Sequence, residues 1–183
     1  MRRDISGNHP LRAFFSEALH ESLHDRMGLQ DTDPVVAYLA EMMVEFLAFD
    51  QIYAIRDAAG QPVESVVEML AEGDVRQRAD SFEREREVHR HIGDFLLFWS
   101  GIFPEFLYRL KARQQQDLMV DVVKQGQFSY QVVSSFDYGR YADEAPVFRK
   151  LSNEFDAYRE GLNIVRSSFK GLAVFPPSKG FEA

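Results

Sequence analysis

The chain of 183 residues contains no cysteine, and this absence excludes disulfide bonds, thiol catalysis and metal sites with cysteine ligands. The glycine-rich loops that bind phosphate groups are also missing, since the 11 glycines are scattered and form neither G-x-G-x-x-G nor G-x-x-x-x-G-K-[ST]. A G-x-S-x-G elbow is also absent. The sequence therefore favours a protein that is not an enzyme.

Positive charge is scarce: 21 Lys and Arg stand against 29 Asp and Glu, which gives a net charge of −8. Nucleic-acid phosphates require a basic face, so we expect no nucleic-acid partner. The longest uncharged apolar run, Phe95 to Pro104, has about half of the roughly 20 residues that a membrane-spanning helix needs. We expect no membrane span, and the lack of a secretory pattern predicts a cytoplasmic protein.

Phenylalanine is abundant, with 16 residues in the chain, and apolar residues recur at helical spacing nearly throughout. The sequence predicts an all-α, single-domain bundle of six or seven helices. This bundle is expected to occupy residues 10–170, between an N-terminal arm (1–9) and a C-terminal tail (171–183). The predicted helices are 10–28, 34–57, 62–72, 74–99, 104–124, 128–136 and 144–169.

Two expectations concern the arrangement of these helices. The helix 34–57 carries few charges, so we expect it to be the central helix of the bundle. Gly101 and Gly126 are expected to separate helices, because glycine is unfavourable inside a helix.

The predicted helix 144–169 has the most regular pattern in the chain. Its apolar residues alternate spacings of three and four, at Phe148, Leu151, Phe155, Tyr158, Leu162, Val165 and Phe169. This heptad seam is typical of helix pairing, within a bundle or between copies. It favours a protein-interaction or scaffold module whose partner is another protein or a second copy in a homodimer.

Two overlapping E-x-x-H units occupy the first helix: Glu17 with His20, and Glu21 with His24. Residues three apart on a helix share a face, so each unit could contribute to a metal site. On a helical wheel, however, all four point away from the apolar face. A solvated face is the favoured interpretation.

Five other residues are candidate metal ligands. Glu41 and Glu45 lie one turn apart on the most apolar helix, where the favoured alternative is a narrow solvent-facing stripe. Glu87, His91 and Asp94 share one face of a later helix, with the imidazole between two acids. The structural alternative for Asp94 is that it caps a helix or pairs with an arginine.

These five residues motivate a second function, a metal- or small-ligand-binding bundle of the ferritin-like type. No cofactor is predicted by the main hypothesis, whereas this alternative implies a pair of iron or manganese ions. A pocket for an apolar ligand among the Phe and Met residues is a third possibility.

The charged run from Glu83 to Arg90 carries alternating charges and is interpreted as a solvated helix surface. Within it, His89 follows the apolar line of the helix. We therefore expect His89 to be a hydrogen-bonded core residue rather than a ligand.

Overall fold

In the computed structural model of the protein, the described residues are 10–46, 53–113, 117 and 119–168. They form eight α-helices and no strand, which confirms the all-α, single-domain prediction. The helices are α1 (Pro10–His20), α2 (Asp33–Phe46), α3 (Val66–Gly73), α4 (Phe82–Ile102), α5 (Pro104–Arg113), α6 (Val122–Ser134), α7 (Ala145–Asn153) and α8 (Phe155–Ser168). A π-helical turn (Glu21–Arg26) extends α1, and a 3-10 helix (Gly139–Tyr141) precedes α7. Within these ranges, no helix is both long and apolar enough to span a membrane.

Several helices begin where a side chain satisfies the free backbone N–H groups of the first turn. The hydroxyl of Ser81 accepts from Arg84 N at the start of α4, and the carboxylate of Asp121 accepts from Lys124 N at the start of α6. The start of α3 is capped by a residue distant in sequence. The buried Asp117 accepts hydrogen bonds from the backbone N–H groups of Val66 and Val67, at 2.9 and 3.0 Å.

The central helix is α4, which packs against α3, α5, α6 and α8. The prediction that helix 34–57 would be central is wrong: α2 packs mainly against α1 and also contacts α7. Helix 34–57 is also too long, because residues 53–57 are not helical and Arg56 forms an isolated bridge with Pro62. Residues 47–52 lie outside the described residues.

The break predicted at Gly101 lies two residues later, since α4 ends at Ile102 and α5 begins at Pro104, whereas the break predicted at Gly126 is wrong because α6 continues through it. Both glycines are positions of close approach between helices. A Cβ atom at Gly101 would lie 2.7 Å from Leu162 Cβ, and one at Gly126 would lie 2.3 Å from Phe155 Cε2. The helices α4 and α6 therefore need glycine in order to contact α8 this closely.

Other boundaries shift as well. The helix predicted over 74–99 begins at Phe82, after the Ser81 cap, and the helix predicted over 104–124 ends at Arg113. The predicted arm (1–9) and tail (171–183) lie outside the described residues.

The C-terminal seam is buried within the chain. Phe148, Leu151, Phe155, Tyr158, Leu162 and Val165 are each at most 1% exposed, whereas Phe169 lies outside the described residues. The structure differs from the predicted single helix 144–169, since α7 ends at Asn153 and α8 follows from Phe155 as a separate helix. This division gives eight helices instead of seven. The seam packs against α4 and α6, so it is an intramolecular contact.

Candidate functional site

A cavity of about 470 Å³ lies beside the first half of α4, where the end of α2 and the 3-10 helix approach it. Its lining is unusually rich in charge for a space next to a hydrophobic core. The charged residues that line it are Arg84, Arg86, Arg90 and Arg140 together with Glu45, Glu87, Asp94 and Glu144. His91 and the aromatic rings of Phe46 and Tyr141 complete most of the wall. We call this space the α4 cavity.

Four of the five candidate residues from the sequence line the α4 cavity: Glu45, Glu87, His91 and Asp94. The fifth, Glu41, lies outside it and faces α1, where its carboxylate is 3.8 Å from Arg12 Nη2. Glu41 and Glu45 are both intermediate in exposure, so neither is a fully buried acid, and the two carboxylates face different neighbours.

Asp94 is buried, at 5% exposure, and two tyrosines hold its carboxylate. The hydroxyl of Tyr38 donates to Oδ1 at 2.7 Å and lies 2.9 Å from Oδ2, while the hydroxyl of Tyr130 donates to Oδ1 at 2.9 Å. Burial, assisted by the nearby Asp94 charge, raises the pKa of Tyr130, so its phenol keeps the proton that it donates. Gly93 makes this contact possible, since a Cβ there would lie 2.7 Å from Tyr130 Cε1.

Arg86 is only 3% exposed, so its assignment to a solvated helix surface is wrong. Its Nη2 donates to Glu144 at 2.7 Å, and its guanidinium lies 4.0 Å from the ring centre of Tyr141. Its Nε is buried and has no hydrogen-bond partner among the described residues. A buried guanidinium is stable only when its charge is compensated, and here the compensating carboxylate belongs to a side chain that is 53% exposed.

The other arginines of the α4 cavity also keep unused hydrogen-bond donors. Arg84 donates to the backbone carbonyl of Arg56 at 2.9 Å, and Arg140 donates to the hydroxyl of Tyr141 at 2.6 Å. Among the described residues, Arg90 forms no ion pair and no hydrogen bond through its side chain. A guanidinium carries five donors, so this cavity presents more donors than its own acceptors take up.

The two histidines of α4 occupy different environments. His91 is 9% exposed and stacks on Phe46, with ring centres 5.9 Å apart. His89 is a buried core histidine, as predicted, with Nδ1 3.3 Å from Ser129 Oγ. Burial lowers the pKa of His89 to about 4, although the Asp74 charge acts in the opposite direction.

A second cavity, of about 560 Å³, lies between α3, α6 and the start of α4. Three large apolar side chains in its lining are exposed: Val67 at 38%, Val75 at 41% and Phe128 at 51%. Asp74 and Glu85 also line it, with Arg76 as a neighbouring cation. Burial and the nearby Asp74 charge raise the pKa of Glu85. We call this surface the α3–α6 groove.

The overlapping E-x-x-H units point to solvent, as predicted: Glu17, His20, Glu21 and His24 are all exposed. Sequence reasoning missed Arg86 and the two tyrosines that hold Asp94. The one available signal was Gly93, an isolated glycine inside a strongly helical segment, which indicates a close approach. Comparison with protein-family models, curated proteins and solved structures finds no match to this chain.

Proposed function

We propose that this protein is a ligand-binding helical domain that takes a small anion, a carboxylate or a phosphate, into the α4 cavity. The observation that carries the proposal is Arg86, a buried guanidinium whose Nε has no partner among the described residues. Leaving a buried donor unsatisfied costs about 1–3 kcal/mol, and more for a charged group. A ligand oxygen would remove this cost.

The neighbouring charges support an anion rather than a cation as the ligand. Arg90 adds a second guanidinium with free donors to the same wall. The carboxylate of Asp94, by contrast, already accepts hydrogen bonds from two tyrosines. Guanidinium groups bind carboxylates and phosphates through paired, charge-assisted hydrogen bonds, so Arg86 and Arg90 suit a planar or tetrahedral anion.

Glu144 indicates how such an anion would be held. Its carboxylate lies 2.7 Å from Arg86 Nη2, and its side chain is half-exposed at the mouth of the cavity. A ligand carboxylate or phosphate could therefore replace it at Arg86 without the removal of a buried acid. The volume of about 470 Å³ lies within the range of small-molecule sites. Glu45 and Glu87 could accept hydrogen bonds from hydroxyl or amino groups of the same ligand.

The iron or manganese form of the ligand-binding hypothesis has weaker support from this geometry. Glu41 lies away from the other four candidate residues, against Arg12. Four arginines line the cavity beside its four acids, so the lining carries no net negative charge that would attract a cation. We keep the predicted cytoplasmic location as part of the proposal.

Titration calorimetry with inorganic phosphate, pyrophosphate and citrate tests the anion site. We expect saturable binding of at least one probe, and binding about tenfold or more weaker in Arg90→Gln, because a hydrogen bond to a charged group contributes about 1.5–3 kcal/mol. Arg26→Gln is the matched control, since Arg26 is an exposed, ion-paired arginine at the end of the π-helical turn that extends α1. Absence of binding at millimolar concentration, or equal affinity in all three proteins, contradicts the proposal. Stoichiometric iron or manganese in protein purified without chelator would favour the metal alternative instead.

Protein–protein interaction, the main hypothesis from the sequence, is the second candidate. The C-terminal seam that motivated it is buried within the chain, so the support comes from the α3–α6 groove. Its apolar lining and the two neighbouring carboxylates, Asp74 and Glu85, fit an amphipathic helix with a basic edge from another protein. A cation near Glu85 would stabilise its carboxylate, whose pKa is raised by burial and by the nearby Asp74 charge.

A synthetic amphipathic helix of Leu and Lys is a suitable probe for this groove, with a Leu and Glu helix as its counterpart. We expect the Leu and Lys helix to bind the protein more tightly in fluorescence anisotropy, and Phe128→Ser to weaken that binding. Tyr138→Ser is the control, because Tyr138 is equally aromatic and 65% exposed but lies outside the groove. Equal effects of the two substitutions would contradict the proposed docking. Light scattering tests the homodimer, and a dimer lost in Phe128→Ser would assign the groove to a second copy.

A further inference from the structure

We propose that His20, His24 and Asp25 form a binding site for a divalent transition-metal ion, represented here by Zn²⁺. Each residue offers one ligand atom, and these three atoms lie within 4.8 Å of one another. In the described part of the chain, this is the one group of three such donors that lie so close together. The site is separate from the α4 cavity and does not depend on the anion proposal.

The backbone places the two imidazoles side by side. His20 ends α1, and the following residues, Glu21–Arg26, form the π-helical turn. The rings of His20 and His24 are stacked, with centres 5.0 Å apart and planes inclined by 26°. Asp25 Oδ1 lies 3.1 Å from His24 Nδ1, so the carboxylate stands next to the second ring. Such single-turn π segments occur frequently at functional sites.

The same turn is anchored to the core on its opposite face. Ser22 Oγ donates to the carbonyl of Gly161 in α8 at 2.8 Å, and Leu23 is fully buried. Leu23 also occupies the space that a side chain at position 161 would need, because a Cβ there would lie 2.3 Å from Leu23 Cδ2. The histidines therefore project from a backbone that is fixed by packing, which reduces the entropy lost when both rings bind one ion.

The chemistry of the donors selects the ion. Two imidazole nitrogens and one carboxylate oxygen form a ligand set that Zn²⁺ accepts, and three protein ligands leave the fourth tetrahedral position to water. Imidazole favours Zn²⁺, Ni²⁺ and Cu²⁺ over Mg²⁺ and Ca²⁺, which prefer oxygen ligands. The cation on the turn, Arg26, forms an ion pair with Glu21, in which Arg26 Nη2 lies 2.6 Å from Glu21 Oε1. The proposed site is thus a three-ligand surface site for an imidazole-binding metal.

Titration calorimetry of the full chain with ZnCl₂ tests this site directly. We expect binding of one Zn²⁺ that weakens about tenfold or more in each of His20→Gln and His24→Gln, since even indirect partners of a metal change affinity by about 10- to 100-fold. Asp25→Asn is expected to weaken binding in the same direction. MgCl₂ is expected to give no binding at this site. All three substituted residues are exposed, so the variants should keep the unfolding temperature of the parent protein.

Glu17→Gln is the matched control, because Glu17 is an exposed acid on the same helix that does not belong to the donor group. Its Zn²⁺ affinity should stay within twofold of the parent value. The proposal is overturned if no Zn²⁺ binds at millimolar concentration, or if binding is equally strong in His20→Gln and His24→Gln. It is also overturned if Glu17→Gln loses as much affinity as His24→Gln does.

Discussion

Buried charge on α4 is concentrated in two side chains, Arg86 and Asp94, which lie two helical turns apart. Each is stabilised by partners from other elements: Asp94 by the hydroxyls of Tyr38 and Tyr130, and Arg86 by Glu144 and the ring of Tyr141. Charged groups are rarely buried without such partners, since their desolvation is costly. The incomplete satisfaction of Arg86 is what distinguishes it from Asp94 and what suggests a ligand.

His89 makes the stability of the fold sensitive to acid. Its pKa is about 4 in the folded protein and about 6.5 when unfolded, so the folded state favours the neutral ring. The contribution of the neutral His89 ring to the free energy of unfolding is therefore fully present above about pH 6.5 and is lost as the pH falls from about 6.5 to about 4. The difference between the two pKa values corresponds to roughly 3 kcal/mol of unfolding free energy.

Urea unfolding at pH 7.5 and pH 4.5 measures this effect. We expect His89→Gln, which cannot be protonated but can still bond to Ser129, to lose roughly 2–3 kcal/mol less than the parent protein between these pH values. Carboxylates titrate in both proteins and cancel in the comparison. An identical loss in the two proteins would contradict the proposed role of His89.

At the scale of helices, capping and apolar periodicity predicted the presence of most elements. The interpretation of Gly126 as a helix break was wrong. The segments around α1, α2, α3 and the end of α4 were recognisable, because their apolar residues recur at helical spacing. Gly101 and Gly126 were interpreted as breaks by local propensity alone. Their actual reason is non-local: each allows contact with α8, which follows much later in the chain.

Gly126→Ala tests this explanation. Alanine in place of glycine would stabilise an isolated helix by about 0.5–1 kcal/mol. Here the new Cβ would lie 2.3 Å from Phe155 Cε2, so we expect a net loss of about 1–3 kcal/mol in unfolding free energy, measured by urea denaturation. In a Phe155→Leu background the same substitution should cost less, because the ring is removed. A stabilised Gly126→Ala protein would show that the contact is absent.

At the scale of the whole molecule, the sequence predicted the fold class and part of the cavity. Glu45, Glu87, His91 and Asp94 were identified because acids and a histidine stood in apolar segments, and all four line the α4 cavity. Their metal-binding role stays a prediction, since the donors that surround them are arginines. The tyrosines Tyr38 and Tyr130 could not be assigned to Asp94, because only the tertiary packing of α2, α4 and α6 brings them together.

The net charge of the molecule does not describe the charge around the α4 cavity. The chain carries a net charge of −8, yet the charged residues that line the α4 cavity are four arginines and four acids. Overall charge governs solubility and long-range encounter, whereas a ligand in a cavity responds to the nearest groups. An acidic protein can therefore hold an anion site.

The most direct test of this account is the NMR signal of the Arg86 Nε–H group, observed in ¹⁵N-labelled protein and assigned with Arg86→Lys. We predict that pyrophosphate, or whichever anionic probe binds in calorimetry, shifts this signal, with saturation at the calorimetric affinity and a midpoint about tenfold or more higher in Arg90→Gln. Saturable binding of the probe that leaves the Arg86 Nε–H signal unchanged would contradict the proposed site.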